Sequence, residues 1–153
     1  MICYLDTSAL VKIYVVEEGS SLVKSKIDEA EIIATSKIAY PEARAAFARA
    51  WRQGILTEQA YREVIDNFNS DWPAYFSLEL TDRVCYLAGT IAEKHSLRGF
   101  DSIHMASVKI LGDLAASNRI EPLKSKRMSV IVGCWDKNLL AALQSERFIT
   151  FPG

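Results

Sequence analysis

Charge excess and long apolar segments are both missing from this sequence of 153 residues, and each absence excludes a class of protein. Eighteen basic residues against nineteen acidic ones give a formal net charge of −1. This excludes a generic nucleic-acid coat, which carries a strong positive excess, so any nucleic-acid contact needs a local basic patch. The longest stretch without Asp, Glu, Lys or Arg is nine residues, 84–92, whereas a membrane-spanning helix needs about 20.

Cysteine is also scarce, and its pattern excludes a disulfide framework and a zinc site. The three cysteines, Cys3, Cys85 and Cys134, include no CxxC pair, and each lies in an apolar run. We therefore expect buried, reduced thiols. The first residues lack the basic and then apolar layout of a signal peptide. Together these features predict a soluble protein of the cytoplasm.

The sequence does have enough apolar material for one folded domain over residues 1–153. Half of the residues are hydrophobic and 10% are aromatic, which excludes intrinsic disorder, and no linker or repeat divides the chain. Short apolar segments at 1–5, 32–34, 128–135 and 148–151 alternate with amphipathic helices. We predict an α/β fold in three layers, with a mostly parallel sheet of about four to five strands between helices. Residues 112–128 fit neither pattern and are predicted to be a loop or insertion.

Acidic residues stand where strands end and helices begin. Asp6 and Asp136 follow two predicted strands, Asp101 is predicted to open a helix, and Glu42 lies near the start of another. In a parallel sheet these positions meet at one edge, where four carboxylates would repel one another unless a cation neutralised them. Oxygen ligands without Cys or paired His favour Mg²⁺ or Mn²⁺. A helix cap or a first-turn acid explains each residue taken alone, and this alternative stays open.

Four short motifs contain these acids: LDTSAL at 5–10, PEARAAF at 41–47, LRGFDSIHMA at 97–106 and WDKNL at 135–139. In this order they resemble the motifs of the PIN-domain nucleases, especially the VapC-type toxins of toxin–antitoxin pairs. Their acids are separated by 36, 59 and 35 residues, so the resemblance covers nearly the whole chain. The sequence departs from the family at Cys134, where such toxins often carry Thr, and in the long interval between the last two acids.

The resemblance implies a PIN-like fold and a metal-dependent endoribonuclease that acts as the toxin of a type II pair. It implies that Asp6 and Asp101 are the principal ligands of Mg²⁺ or Mn²⁺, with Glu42 and Asp136 in an outer shell or on a second ion. Ser8 is placed to contact the scissile phosphate or a metal-bound water, although a helix N-terminal hydroxyl is an equally good interpretation. A homodimer and a VapB-like antitoxin are implied as well.

Basic residues near such an acidic site are needed to hold RNA, since its phosphates and the carboxylates repel. A solvated helix face is an equally good explanation of the arginines. For His104 we expect a packed or hydrogen-bonded role rather than metal binding, and for Trp51 a place in the core. The candidate RNA-binding residues are Lys12, Arg44, Arg49 and Arg52 near the acidic edge, and Lys124, Lys126 and Arg127 in a second cluster.

Two other functions compete with the nuclease. An apolar strand followed by Asp-Thr also opens phosphatases of the haloacid-dehalogenase type, in which that Asp is a nucleophile and a second Asp lies two residues on. Here the second position is Ser8, which argues against a covalent aspartyl-phosphate. The non-enzymatic alternative is an inactive PIN-fold module that binds a partner. The presence of all four acids argues against it, while Cys134 keeps it open.

Overall fold

Five short parallel strands form one sheet at the centre of the protein. The computed structural model of the chain describes residues 1–120 and 128–153. The strands are β1 Ile2–Leu5, β2 Ile32–Ser36, β3 Phe76–Leu78, β4 Val130–Gly133 and β5 Ile149–Phe151. Their spatial order is β3-β2-β1-β4-β5. The predicted α/β fold with a parallel sheet of up to five strands is therefore confirmed.

Strand β1 lies between two neighbours and divides the core into two parts. All four of its residues are buried. Because side chains alternate along a strand, Ile2 and Tyr4 pack into one apolar cluster, while Cys3 and Leu5 pack into the other. Both faces of the sheet are thus covered, as expected for parallel strands joined by helices.

Seven helices form the two outer layers of the described chain, so the predicted three-layer arrangement is confirmed. The layer over Cys3 and Leu5 contains α1 Thr7–Tyr14, α2 Ser20–Asp28, α3 Ala39–Arg52 and α4 Glu58–Asp71. The layer over Ile2 and Tyr4 contains α5 Asp82–His95, α6 Gly99–Ala116 and α7 Lys137–Ser145. Side-chain oxygens of Asp6, Thr57, Thr81 and Asp136 accept hydrogen bonds from the first turns of α1, α4, α5 and α7. These caps fix where four of the helices begin.

Two predictions about α6 were wrong. The helix begins at Gly99 rather than at Asp101, which lies in its first turn, since Arg98 is the last residue with extended backbone. Residues 112–116, predicted to be part of a loop, continue the helix because Leu111 and Ala115 are buried in the core. Of the remaining predicted insertion, residues 121–127 lie outside the described part of the chain.

Strand β4 is four residues long, shorter than the predicted 128–135. Beyond its end, the backbone N–H of Trp135 donates to the Ser8 hydroxyl at 2.8 Å instead of to a strand. The strand ends pack so closely that a Cβ on Gly133 would lie 2.6 Å from a ring carbon of Phe151 and 2.9 Å from a methyl of Leu5. Only glycine fits there.

The carboxyl ends of β1 and β4 are the point where the sheet changes direction. From β1 the chain proceeds outward through β2 to β3, and from β4 it proceeds the other way to β5. Ligands of open α/β sheets bind at such a switch point. No helix of the described residues is long and apolar enough to cross a membrane. Cys3 and Cys134 are buried as expected, but Cys85 is exposed on α5, so that expectation was wrong.

Candidate active site

A cleft of about 630 Å³ lies at this switch point, and all four predicted acids line it. Asp6 and Asp136 precede α1 and α7 as their N-caps, while Glu42 and Asp101 lie in the first turns of α3 and α6. Four helix N-termini therefore face the cleft with their positive dipole ends, which favours the charged form of carboxylates. The structure brings together residues that are up to 130 positions apart in the sequence (136 − 6).

Asp6 is the most deeply placed of these acids, with 3% of its surface exposed. Its carboxylate accepts hydrogen bonds from the Ala9 N–H at 2.8 Å and from the Ser8 hydroxyl at 2.7 and 2.9 Å. Burial raises the pKa of Asp6 above its ordinary value, against the opposing effects of His104, Ser8 and Cys134. Asp6 is thus a helix cap and also a desolvated carboxylate, whose ionised form gains from a nearby cation.

Ser8 connects the ends of the two central strands. Its hydroxyl donates to Asp6 after β1 and accepts from the backbone N–H of Trp135 after β4. Cys134 directly follows β4, and its thiol donates to the Asp136 carbonyl oxygen at 3.5 Å. Burial raises the pKa of this thiol. The position that departs from the family motif is therefore a buried thiol, held beside Asp6.

Glu42 is held by a partly buried hydrogen-bond network. One of its oxygens, Oε1, accepts from the Thr7 hydroxyl at 2.6 Å and lies 2.9 Å from His104 Nε2. The other ring nitrogen, Nδ1, lies 2.9 Å from the Tyr4 hydroxyl. Burial acts to raise the pKa of Glu42, but the hydrogen bonds from His104 and Thr7 outweigh it and lower that pKa. His104 is 2% exposed, so the expected packed and hydrogen-bonded role is confirmed.

Arg98 joins the remaining two acids and was missed by the sequence reasoning. Its Nε lies 3.0 Å from Asp101 Oδ2, and its Nη2 lies 3.3 Å from Asp136 Oδ2. The spacing of three residues to Asp101 is a signal for the first pair. No sequence signal indicates the second pair, because Arg98 and Asp136 are 38 residues apart. The other oxygen of Asp136 accepts from two backbone N–H groups of α7.

The candidate RNA-binding residues divide into those that reach the cleft and those that do not. Lys12 and Arg49 line it. Lys12 is buried, however, and its Nζ contacts Glu17 Oε1 at 2.9 Å and lies 4.8 Å from the Trp135 ring centroid. Arg49 shares the face of α3 that carries Glu42, since seven residues make two helical turns.

Arg44 and Arg52 are on other faces of α3 and do not line the cleft. Arg44 instead donates to the Tyr40 hydroxyl at 2.8 Å. Lys124, Lys126 and Arg127 lie outside the described residues. Trp51, expected in the core, is 41% exposed and stacks on Tyr61 with ring centroids 4.9 Å apart, so that expectation was wrong.

Comparison with known proteins decides the family. Residues 3–118 match the PIN domain. The chain belongs to the PIN-domain family. It is 36% identical over 136 residues to Ribonuclease VapC45 of Mycobacterium tuberculosis (strain CDC 1551 / Oshkosh), covering 89% of this chain and 85% of that protein. The same values relate it to Ribonuclease VapC49 of strain ATCC 25618 / H37Rv. Membership of this family leaves no support for the haloacid-dehalogenase alternative.

Solved structures resemble this PIN domain in fold. The crystal structure of FitAcB from Neisseria gonorrhoeae has a TM-score of 0.65 at 17% identity, covering 99% of this chain and 96% of that one. VapBC2 from Rickettsia felis, bound to a DNA fragment from their promoter, has a TM-score of 0.56 at 11% identity, with coverages of 98% and 97%. A toxin–antitoxin complex from Klebsiella pneumoniae has a TM-score of 0.55 at 12% identity, with coverages of 84% and 83%.

The cleft of this PIN domain suits a hard divalent cation that keeps part of its water shell. No three His, Cys, Asp or Glu side chains within residues 1–120 and 128–153 are grouped closely enough to form a metal cage. Mg²⁺ does not need one, since it is usually bound through one or two carboxylates together with waters and substrate phosphates. The cleft offers carboxylate oxygens as ligands for such an ion. They belong to the desolvated Asp6 and to Asp101 and Asp136, which already bind the Arg98 guanidinium.

Proposed function

We propose that this PIN domain is a divalent-metal-dependent endoribonuclease and the toxin of a type II toxin–antitoxin pair. The observation that carries the proposal is the convergence of four carboxylates on one cleft at the sheet's switch point. The 36% identity to ribonucleases of the VapC type agrees with it. Convergent carboxylates are a common protein design for holding Mg²⁺ against a phosphate.

In this proposal Asp6 and Asp101 hold Mg²⁺ or Mn²⁺, and Glu42 and Asp136 stand in the outer shell or at a second ion. When bound, the ion would stabilise the negative charge on the phosphoryl oxygens and lower the pKa of water, which makes water a better nucleophile. Ser8 fixes the rotamer of Asp6 by donating its one hydroxyl proton to it, so the proposed contact of Ser8 with the scissile phosphate or a metal-bound water requires that proton to leave Asp6.

Glu42 has a separate task, which its hydrogen bonds define. Thr7 and His104 both contact Oε1, so Oε2 is the oxygen available to orient a water in the cleft. The lowered pKa keeps Glu42 ionised. An ionised, fixed carboxylate accepts a hydrogen bond from the attacking water and directs its lone pair toward the phosphorus.

RNA binding is proposed to rest first on Arg49, which lines the cleft and has no ion pair among the described residues. The exposed Phe100, 55% accessible at the cleft mouth, offers a ring on which a base can stack. Lys12 contributes charge at a distance because Glu17 already holds its ammonium group. Arg44 and Arg52 remain proposed contacts for RNA outside the cleft. Lys124, Lys126 and Arg127, which lie outside the described residues, also remain proposed RNA contacts.

The proposed partners follow from the relatives. Structures of similar fold are named as toxin–antitoxin and VapBC complexes, and by this similarity we propose a VapB-like antitoxin. We propose a homodimer from the family resemblance of the sequence motifs alone. We also propose that the protein acts in the cytoplasm, where RNA substrates are present.

The test is cleavage of structured RNA by the purified full chain without antitoxin. We expect cleavage with Mg²⁺ or Mn²⁺ and none in EDTA. Asp6→Asn and Asp101→Asn should each lower the rate by roughly a hundredfold or more, as expected for loss of a metal ligand. Asp113→Asn is the matched control, because Asp113 is an exposed acid of the same helix as Asp101 and pairs with Arg83 at 3.7 Å, away from the cleft.

Two outcomes would contradict the proposal. Cleavage that persists in EDTA, or in both cleft variants, would remove the metal from the mechanism. A folded chain that binds an antitoxin but cleaves no RNA under any metal condition would favour the inactive partner-binding module.

A further inference from the structure

Arg98 occupies a position that the proposed nuclease function does not explain. It is the residue before α6, its backbone is extended, and its side chain is 79% exposed. From there the guanidinium contacts two carboxylates on separate elements, Asp101 in the first turn of α6 and Asp136 at the N-cap of α7. Both carboxylates line the cleft, and so does Arg98.

Arg98 already supplies both carboxylates with a positive charge and a hydrogen bond. The contacted atom is Oδ2 in each case, at 3.0 and 3.3 Å from the guanidinium nitrogens. The side chain of Asp101 is 15% exposed and that of Asp136 is 27% exposed, so little of either remains for another cation. The guanidinium thus occupies one of the two oxygens that either carboxylate can offer to a divalent ion.

We propose that Arg98 is a built-in competitor of the divalent cation. In the metal-free chain its guanidinium neutralises Asp101 and Asp136, and it leaves Asp101 when the cation binds. This inference rests on the proposed metal site, because Asp101 is one of its two ligands. Arg98 thereby sets how much free divalent cation the nuclease needs before it is loaded.

The exposure of Arg98 determines the size of the effect. Exposed ion pairs change an equilibrium by a factor of about five or less, so Arg98 raises the cation requirement without blocking the site. Removing the guanidinium with Arg98→Gln should tighten cation binding by about two- to fivefold. Arg98→Lys keeps the charge but loses the planar fork that spans two carboxylates, so its affinity should fall between those of the wild type and Arg98→Gln.

Calorimetric titration of the full chain with Mn²⁺ measures this effect directly. Arg49→Gln is the matched control, since it removes one positive charge from the same cleft but breaks no contact with an acid among the described residues. We expect Arg49→Gln to change the Mn²⁺ affinity less than twofold. Thermal unfolding gives a second readout. In EDTA, Arg98→Gln should unfold at a lower temperature than the wild type, and Mn²⁺ should raise its midpoint by more.

The outcomes separate this inference from the proposed function. If the wild type binds Mn²⁺ and Arg98→Gln binds it no more tightly than Arg49→Gln does, the competitor role is wrong while the metal site stands. Equal affinities of the wild type and Arg98→Lys, with tighter binding by both Gln variants, would show general charge repulsion instead and also overturn the role. If no variant binds Mn²⁺, both proposals fail.

Discussion

Replacing the buried Asp6 carboxylate by an amide, Asp6→Asn, should stabilise the metal-free protein. Burial raises the pKa of Asp6, so the folded state favours its uncharged form. The charged form therefore costs stability at neutral pH, and an amide of the same shape avoids that cost. Functional residues of this kind commonly lower the stability of a protein, and replacing them stabilises it but removes the function.

Helix capping contributes little to this gain in stability. Asp6 caps α1 by accepting from the Ala9 N–H at 2.8 Å, and Asn caps helices about as well as Asp does. The Oδ1 acceptor survives in the amide, so the cap contributes little to the difference. What remains is the desolvated charge, for which we expect a gain of about 1 kcal/mol. In a chain of this length that gain raises the melting temperature by roughly 2–4 °C.

Thermal unfolding in EDTA at pH 7 measures the gain, and its pH dependence tests the cause. As the pH falls through the raised folded pKa to below 3.8, the wild-type carboxyl gains its proton and the difference between the two proteins should disappear. Asp136→Asn is the matched control. Asp136 also caps a helix, but it is more exposed and paired with Arg98, so its amide should bring no gain. An Asp6→Asn variant that melts at or below the wild-type temperature would refute the reasoning.

Two further predictions concern groups outside the metal ligands. Glu146, contacted by Lys94, His95 and Lys109, has its pKa lowered to about 2 by these bonds. Glu146→Gln should therefore cost roughly 1–2 kcal/mol at pH 7, after allowing for solvent screening. That cost should vanish as the pH falls from 4.5 toward 2, and a loss that is independent of pH would contradict it. Tyr4→Phe leaves buried His104 Nδ1 without its partner at 2.9 Å, and should cost about 1–3 kcal/mol in denaturant unfolding. An unchanged midpoint would mean that this bond is dispensable.

Local sequence signals were sufficient for most of the fold. Apolar strands, cap residues such as Thr57 and Thr81, and helical spacing of apolar residues each act within a few positions, so they are readable along the chain. The errors lie where local signals conflict with tertiary packing. Asn118, Pro122 and the basic residues after them indicated a loop from residue 112 onward, but Leu111 and Ala115 bury the next turn and keep it helical.

The sequence predicted which acids line the cleft, but it did not predict the side-chain contacts that orient them. Two rules suffice to bring the four acids together, namely that parallel strands end at one edge and that helices begin there. The contacts that orient them depend on side-chain positions far apart in sequence, such as Tyr4 with His104, 100 residues away. Spacing carries no information about such pairs, so the contacts of Arg98 with Asp136 and of Thr7 with Glu42 emerged only from the structure.

A crystal of the full chain grown with Mn²⁺ tests the central claim most directly, because the anomalous scattering of manganese marks the ion without reference to activity. We predict a peak within coordination distance of both Asp6 and Asp101, with the Arg98 guanidinium displaced from Asp101. A peak elsewhere, or no peak at saturating Mn²⁺, would contradict the account.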